Sequence, residues 1–184
     1  CSAPVAAGII SGQASVCPLS TAVVYSVPSI TNATTYVWTV PVGAAIVAGS
    51  GTNSITVDFS DTAVSGSVTV YGSNICSDGS ASTFAVVVNP LPVPSLTAGP
   101  VGVCVSATGV VYQTQTGMSN YAWAISSGGT ITGGSNTNSI SVNWNTVGPQ
   151  TLSINYTSVE GCTATSPSVI EVNVVPLPIP VISG

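Results

Sequence analysis

The sequence repeats itself once. Cys17 returns as Cys104, Tyr36-Val37-Trp38 as Tyr121-Ala122-Trp123, and Cys76 as Cys162. Thr52-Asn53-Ser54-Ile55-Thr56-Val57-Asp58-Phe59 returns as Thr137-Asn138-Ser139-Ile140-Ser141-Val142-Asn143-Trp144. Tyr71 has a counterpart in Tyr156, and Pro90-Leu91-Pro92-Val93-Pro94 in Pro176-Leu177-Pro178-Ile179-Pro180. Anchors in the same order with offsets of 85 to 87 mark two copies of one domain. Whatever the chain folds into must therefore close its core within roughly 90 residues, inside the usual domain range.

Strand-forming runs fill each copy. Val23–Val27, Tyr36–Val40, Ser54–Phe59, Ser67–Tyr71 and Phe84–Val88 are β-branched or aromatic, and several alternate with period 2. Turn clusters such as Pro41-Val42-Gly43, Gly49-Ser50-Gly51 and Ser77-Asp78-Gly79 separate them. The second copy matches at Val110–Thr114, Tyr121–Ile125, Ile140–Trp144, Leu152–Tyr156 and Val169–Val175. No segment has the 3-4-7 apolar spacing of a helix. About seven short strands per copy predict an all-β chain: two tandem immunoglobulin-like β-sandwiches. The expected division is a first sandwich over residues 1–89, a linker over 90–94, a second sandwich over 95–175, and a segment 176–184 leading toward a further repeat. Alternating prolines fix φ and favour an extended, stiff linker. Ile182-Ser183-Gly184 repeats Ile10-Ser11-Gly12, as if another copy began there.

Charge removes many functions. The 184 residues include no Lys, Arg or His and only five acids: Asp58, Asp61, Asp78, Glu160 and Glu171. Nucleic-acid binding, which needs basic side chains to displace counterions, is excluded. So are a His general base, a Schiff-base Lys, an Arg phosphate clamp and a His-bearing zinc site. With 45% apolar residues the chain is too hydrophobic for disorder, and its apolar runs are too short for a transmembrane helix. No cofactor is expected. Neither is an enzyme, since an active site made of Asp, Glu and Ser alone lacks the base that a serine nucleophile requires.

The cysteines pair by position as Cys17–Cys76 and Cys104–Cys162, each loop enclosing a Trp; the chain-entropy model gives such loops roughly 4 kcal/mol each. The competing reading is four buried free thiols in a reducing compartment. Cys76 and Cys162 follow their strands, so a bridge there pins one end of the sandwich. Cys1 is left over. It marks a chain cut within a larger protein, or forms a bond to a neighbouring domain or subunit, or is the lipid-bearing first residue of a mature bacterial lipoprotein.

Other candidates are weaker. Asp58 and Asp61 flank a turn and offer oxygens for Ca²⁺, but the second copy has Asn143 and Thr146 there, so a solvated strand end is the plainer reading. Gly49-Ser50-Gly51 lacks the Lys and the following helix of a phosphate loop and reads as a hairpin turn. Trp38 and Trp123 are expected to point into the core, while Phe59 or Trp144 is the aromatic more open to solvent. Asn32-Ala33-Thr34 and Asn155-Tyr156-Thr157 fit the N-glycosylation sequon. Asp61-Thr62-Ala63 fits a bacterial O-glycosylation pattern, which makes Thr62 the glycosylation candidate.

Val16-Cys17, Tyr36-Val37-Trp38, Gly51 to Val57, Ser73-Asn74-x-Cys76 and the Pro-Leu-Pro segment together resemble the PKD-like, immunoglobulin-like repeats of giant secreted proteins of Bacteroidetes. The resemblance spans essentially the whole chain, twice. It implies a cell-surface adhesin or fibre, exported by type IX secretion, secreted or displayed on the cell surface, with no catalytic residues. The expected role is a non-enzymatic structural repeat whose partners are copies of itself or neighbouring repeats. The alternative is an accessory module that binds surface glycans or proteins.

Overall fold

The computed structural model describes residues 1–180, so the Ile182–Gly184 echo lies outside the described residues. The chain divides into two compact units, Cys1–Pro90 and Leu91–Gly184. Each is an all-β sandwich.

In unit 1 the strands are β1 (Ser15–Val16), β2 (Val23–Ser26), β3 (Thr35–Thr39), β4 (Ala44–Ala48), β5 (Ser54–Phe59), β6 (Gly66–Ser73) and β7 (Ser82–Val88). One sheet runs β1-β7-β6-β3 and the other β2-β5-β4. The first strand lies parallel to the last, with Val16 opposite Val88. A lone antiparallel bridge between Ser11 and Ser26 ties the preceding segment to the other sheet. The amino-terminal chain thus crosses from one sheet to the other on its way to β2.

Unit 2 has β8 (Leu96–Ala98), β9 (Gly102–Cys104), β10 (Val110–Thr114), β11 (Ser119–Ile125), β12 (Gly129–Gly133), β13 (Ser139–Trp144), β14 (Gly148–Thr157) and β15 (Ser168–Val175). Its sheets are β12-β13-β10-β8 and β11-β14-β15-β9, again with a parallel closure, β9 on β15. Here β8 is a full strand where unit 1 has a single bridge. Within unit 2 the proline segment is docked: Pro94 is buried, and the Tyr156 hydroxyl donates to the Val93 carbonyl at 3.2 Å.

Alternation builds both cores. The burial of β5 and of β13 follows the same in-out pattern, placing Ile55, Val57 and Phe59, or Ile140, Val142 and Trp144, on the inner face. Opposite them stand Val68, Val70 and Val86 in unit 1 and Leu152, Val172 and Val174 in unit 2. Such burial of β-branched side chains contributes roughly 1.5–3 kcal/mol per residue.

Two expectations are corrected. Trp38 is buried in the core of unit 1, but Trp123 is only half-buried, and Phe59 and Trp144, of which one was expected to be open to solvent, are both buried, Trp144 completely. Nor are Tyr71 and Tyr156 equivalent, despite their spacing. Trp38 faces Val70, but Trp123 faces Ile154, so the register places Tyr71 level with Asn155. A one-residue shift turns a side chain to the other face. Tyr156 therefore points inward against Tyr121, with ring centroids 5.9 Å apart, while unit 1 has Gly72 opposite Tyr36. A Cβ on Gly72 would press on Ala33 and Ile30, so those side chains fill the space of the missing ring.

The two cores also satisfy their buried tyrosines differently. Tyr25 donates to the Gln13 carbonyl at 3.0 Å and meets Phe84 edge-on. Tyr112 accepts from the Trp144 indole N–H at 3.1 Å, the rings meeting at 82°. Replacing Phe59 of the first copy with Trp144 in the second adds a buried donor, and Tyr112 supplies its acceptor. Burial pushes the phenols of Tyr25 and Tyr112 above their usual value of 10.0, as expected for groups that must stay neutral.

Removing only the Tyr112 hydroxyl strands that indole N–H, at a cost of about 1–3 kcal/mol. Urea unfolding followed by Trp fluorescence should show this loss for Tyr112→Phe. It should show a smaller additional loss when Trp144→Phe is added, because the orphaned donor then disappears. Purely additive losses would contradict the pairing.

Candidate functional site

The residues that recur in the two copies converge on hydrogen bonds that hold each sandwich together. In unit 1 the turn between β4 and β5 is closed by Thr52, whose N–H donates to the Gly49 carbonyl at 3.0 Å. The Thr52 hydroxyl lies 2.9 Å from that carbonyl and 2.8 Å from the Ser54 carbonyl. Trp38, on the opposite sheet, reaches across and donates its indole N–H to the Thr52 carbonyl at 2.8 Å. Unit 2 repeats each bond: Thr137 N–H to Gly134 at 2.9 Å, and Trp123 indole N–H to the Thr137 carbonyl at 2.9 Å. Gly49 and Gly134 sit at φ 76° and 79°, and a Cβ on either would strike the Ser54 or Ser139 carbonyl. Gly49-Ser50-Gly51 is thus a turn built around a tryptophan anchor.

Asp58 and Asn143 share a structural task. The Asp58 carboxylate accepts from the Ala22 N–H at 2.7 Å, and the Asn143 amide oxygen accepts from the Gly109 N–H at 2.8 Å. Ala22 and Gly109 both have left-handed backbone, φ 55° and 63°, immediately before their strands. An oxygen acceptor is all that is needed there, which explains why Asp and Asn alternate. Asp61 stands on the following turn, and among the described residues no group of three or more His, Cys, Asp or Glu is placed to hold a metal. A groove beside Gln13, Ser20 and Thr21 is lined by hydroxyls, amides and aliphatic carbons, without a carboxylate.

Thr62 is exposed on the same turn as Asp61, its hydroxyl 3.1 Å from that of Ser60. Asn32 is exposed, with its amide donating to the Ala3 carbonyl at 3.1 Å. Asn155 is half-buried and donates to the Ala164 carbonyl at 3.0 Å.

The cysteine pairing differs from the expectation. Cys1 is bonded to Cys76, with Cα atoms 6.0 Å apart. Cys104 is a free, exposed thiol. Cys17 and Cys162 are each disulfide-bonded. Neither Cys17–Cys76 nor Cys104–Cys162 can form within a unit, for a geometric reason. Cys17 follows Val16, which pairs with Val88 at the end of β7, whereas Cys76 lies in the loop before β7 begins at Ser82. The length of β7 separates them, roughly 20 Å at 3.3 Å per residue, and a disulfide spans at most about 7 Å between Cα atoms. In unit 2 Cys104 pairs with Val175 at the end of β15, while Cys162 precedes that strand. The cysteines of each copy occupy opposite ends of its sandwich. Spacing alone could not reveal this, because it hides the parallel pairing of β1 and β9 with the last strands.

Cys1 reaches Cys76 along a docked arm. Val5 N–H donates to the Thr31 carbonyl at 3.1 Å and Ala7 N–H to the Ser80 carbonyl at 3.0 Å. Asn74 donates to the carbonyls of Ser2 at 2.8 Å and Asn32 at 2.7 Å, and its own side-chain oxygen accepts from Cys76 N–H at 2.8 Å. Asn74 therefore holds both the bonded loop and the arm. This explains the Ser73-Asn74-x-Cys76 motif in structural terms.

The sequence matches the PKD-like domain family over residues 3–86 and again over 90–172. No curated protein matches it. Among solved structures it is similar to the fibronectin(III)-like modules of Clostridium thermocellum CbhA, with 9% identity, TM-score 0.39, and coverage of 91% of this chain and 95% of that one. It is also similar to the I-band fragment I67-I69 of titin, with 11% identity, TM-score 0.43, and coverage of 94% and 63%. The human desmocollin-1 ectodomain gives 12% identity, TM-score 0.43, and coverage of 96% and 42%. The family match and the strand topology carry the assignment.

Alkylating the intact chain before reduction should label Cys104 alone, and peptide mapping should recover Cys1 joined to Cys76. A Cys17–Cys76 or Cys104–Cys162 peptide would overturn the observed topology.

Proposed function

Because this chain belongs to the PKD-like domain family, carried twice in tandem, we propose that it is a non-enzymatic structural module of an extracellular fibre or cell-surface adhesin stalk. One observation supports this above the others. The recurrent residues, Trp38 and Trp123, Thr52 and Thr137, Asp58 and its counterpart Asn143, are engaged in holding their own sandwich. What the sequence preserves between copies is a framework, and a framework repeated in tandem serves length and mechanical support.

The chemistry of the surface agrees. With five acids and no bases in 184 residues, the exposed face presents hydroxyls, amides and aliphatic side chains, including Val42, Val47, Ile75 and Val159. Contacts between such surfaces avoid the desolvation of charge, the main penalty of burying polar interfaces. Disulfides form and persist in oxidising environments, which supports the extracellular reading. Export to the surface of a bacterium of the Bacteroidetes type is part of the same reading, and so are partners that are further copies of the repeat.

Negative-stain electron microscopy of the native material, with scattering at high concentration, tests the proposal. Threads or head-to-tail oligomers are expected. Discrete two-domain particles at every concentration would reject the fibre reading and favour a module that binds glycans or proteins.

A further inference from the structure

The five cysteines fall into two kinds of place besides the terminus. Cys17 follows, and Cys104 ends, the short strand that closes each sandwich in parallel; Cys76 and Cys162 sit in the loop before the last strand, at the opposite end. Three of these four positions carry disulfides, and the exception is Cys104. Its counterpart Cys17 is bonded, which identifies the strand-end position as one that takes a sulfur partner. That partner cannot be the loop cysteine of the same unit, which lies the length of a strand away.

We propose that Cys104 is a linking thiol that bonds Cys76 of a second copy of this chain by displacing Cys1. The idea rests on the fibre reading above and specifies its junction. Cys104, Cys1 and Cys76 are all exposed. The Cys104 thiolate attacks the Cys76 sulfur, a Cys104–Cys76 bond forms, the Cys76–Cys1 bond breaks, and Cys1 leaves as a thiolate that takes up the proton lost by Cys104. One disulfide and one thiol enter and one of each leaves, so no oxidant is required. The joined ends are different surfaces of the molecule, so the contact is heterologous and each new copy presents another free Cys104.

The local chemistry fits. Where unit 1 has Asp58 and Asp61, the equivalent end of unit 2 has Asn143 and Thr146, so no carboxylate there opposes Asp78, which lies two residues from Cys76. Ile75, beside Cys76, is 97% exposed, and Val147 near the Cys104 end is 48% exposed, giving each side an apolar contact. Only Ser2 and Ala3, held by the side chains of Asn74 and Asn32, have to release with Cys1 after exchange; Val5 and Ala7 keep the rest of the arm fastened by backbone hydrogen bonds.

The test uses the purified, oxidised chain at rising concentration in oxygen-free buffer with a chelator. A ladder of chain multiples should grow on a non-reducing gel with second-order kinetics and collapse on reduction. Mass spectrometry should find Cys104–Cys76 peptides and one newly alkylatable Cys1 for every link. Cys104→Ser, and separately the native chain with Cys104 blocked by N-ethylmaleimide, should give no ladder; the blocked chain removes any doubt about folding. Absence of a ladder from the unmodified chain overturns the proposal, as does a Cys104–Cys104 dimer that grows no further. Threads formed equally by the blocked chain would also overturn it, while leaving the fibre reading in place.

Discussion

Each sandwich depends on one hydrogen bond that crosses from sheet to sheet. The indole of Trp38 or Trp123 leaves its own sheet and donates to the carbonyl of Thr52 or Thr137, the residue that closes the hairpin of the other. Shape and hydrophobicity press two sheets together without fixing their mutual position. A donor from one sheet on a turn carbonyl of the other fixes it. The turn is itself constrained by a left-handed glycine and by a threonine hydroxyl lying between two carbonyls, so the acceptor is held in place before the indole arrives. Once it is fixed, β5 and β13 present their alternate side chains to the core in the right register.

This explains why the chain can dispense with charge. Apart from Asp58, the polar work on backbone groups described above is done by uncharged side chains of Thr, Ser, Asn, Gln, Tyr and Trp. Among the described residues, every fully buried side-chain nitrogen or oxygen has one. Asp58 and Asn143 are interchangeable because an acceptor is required at that point and a charge is not. The tyrosines follow the same rule with local variation: Tyr36 accepts from the Ile30 N–H at 3.0 Å and Tyr121 from the Met118 N–H at 3.1 Å.

The all-β class and the repeat were legible because the central strands are β-branched and alternate. Weak edge strands were not. β4 reads Ala-Ala-Ile-Val-Ala and β12 begins and ends in Gly, and both share one shallow burial pattern, so neither carries a strong period-2 signal. β1 spans two residues and pairs in parallel with a strand far along the sequence, a relation that local pattern cannot express. The cysteine pairing failed for that reason. The second copy misled in a different way: Trp123 serves as an anchor while only half-buried, and the unrepeated Trp144 fills the centre. Repetition marked what the framework requires, whereas burial followed volume.

Native-state amide hydrogen exchange on the Trp38→Phe chain tests the anchor most directly. Phe keeps most of the apolar ring and removes only the donor and part of its volume. The account predicts that the amides of the 49–54 hairpin lose protection by at least tenfold, about 1.4 kcal/mol, while those of the 134–139 hairpin exchange as before. Unchanged protection at 49–54 would show that the turn stands without the indole and would contradict the account.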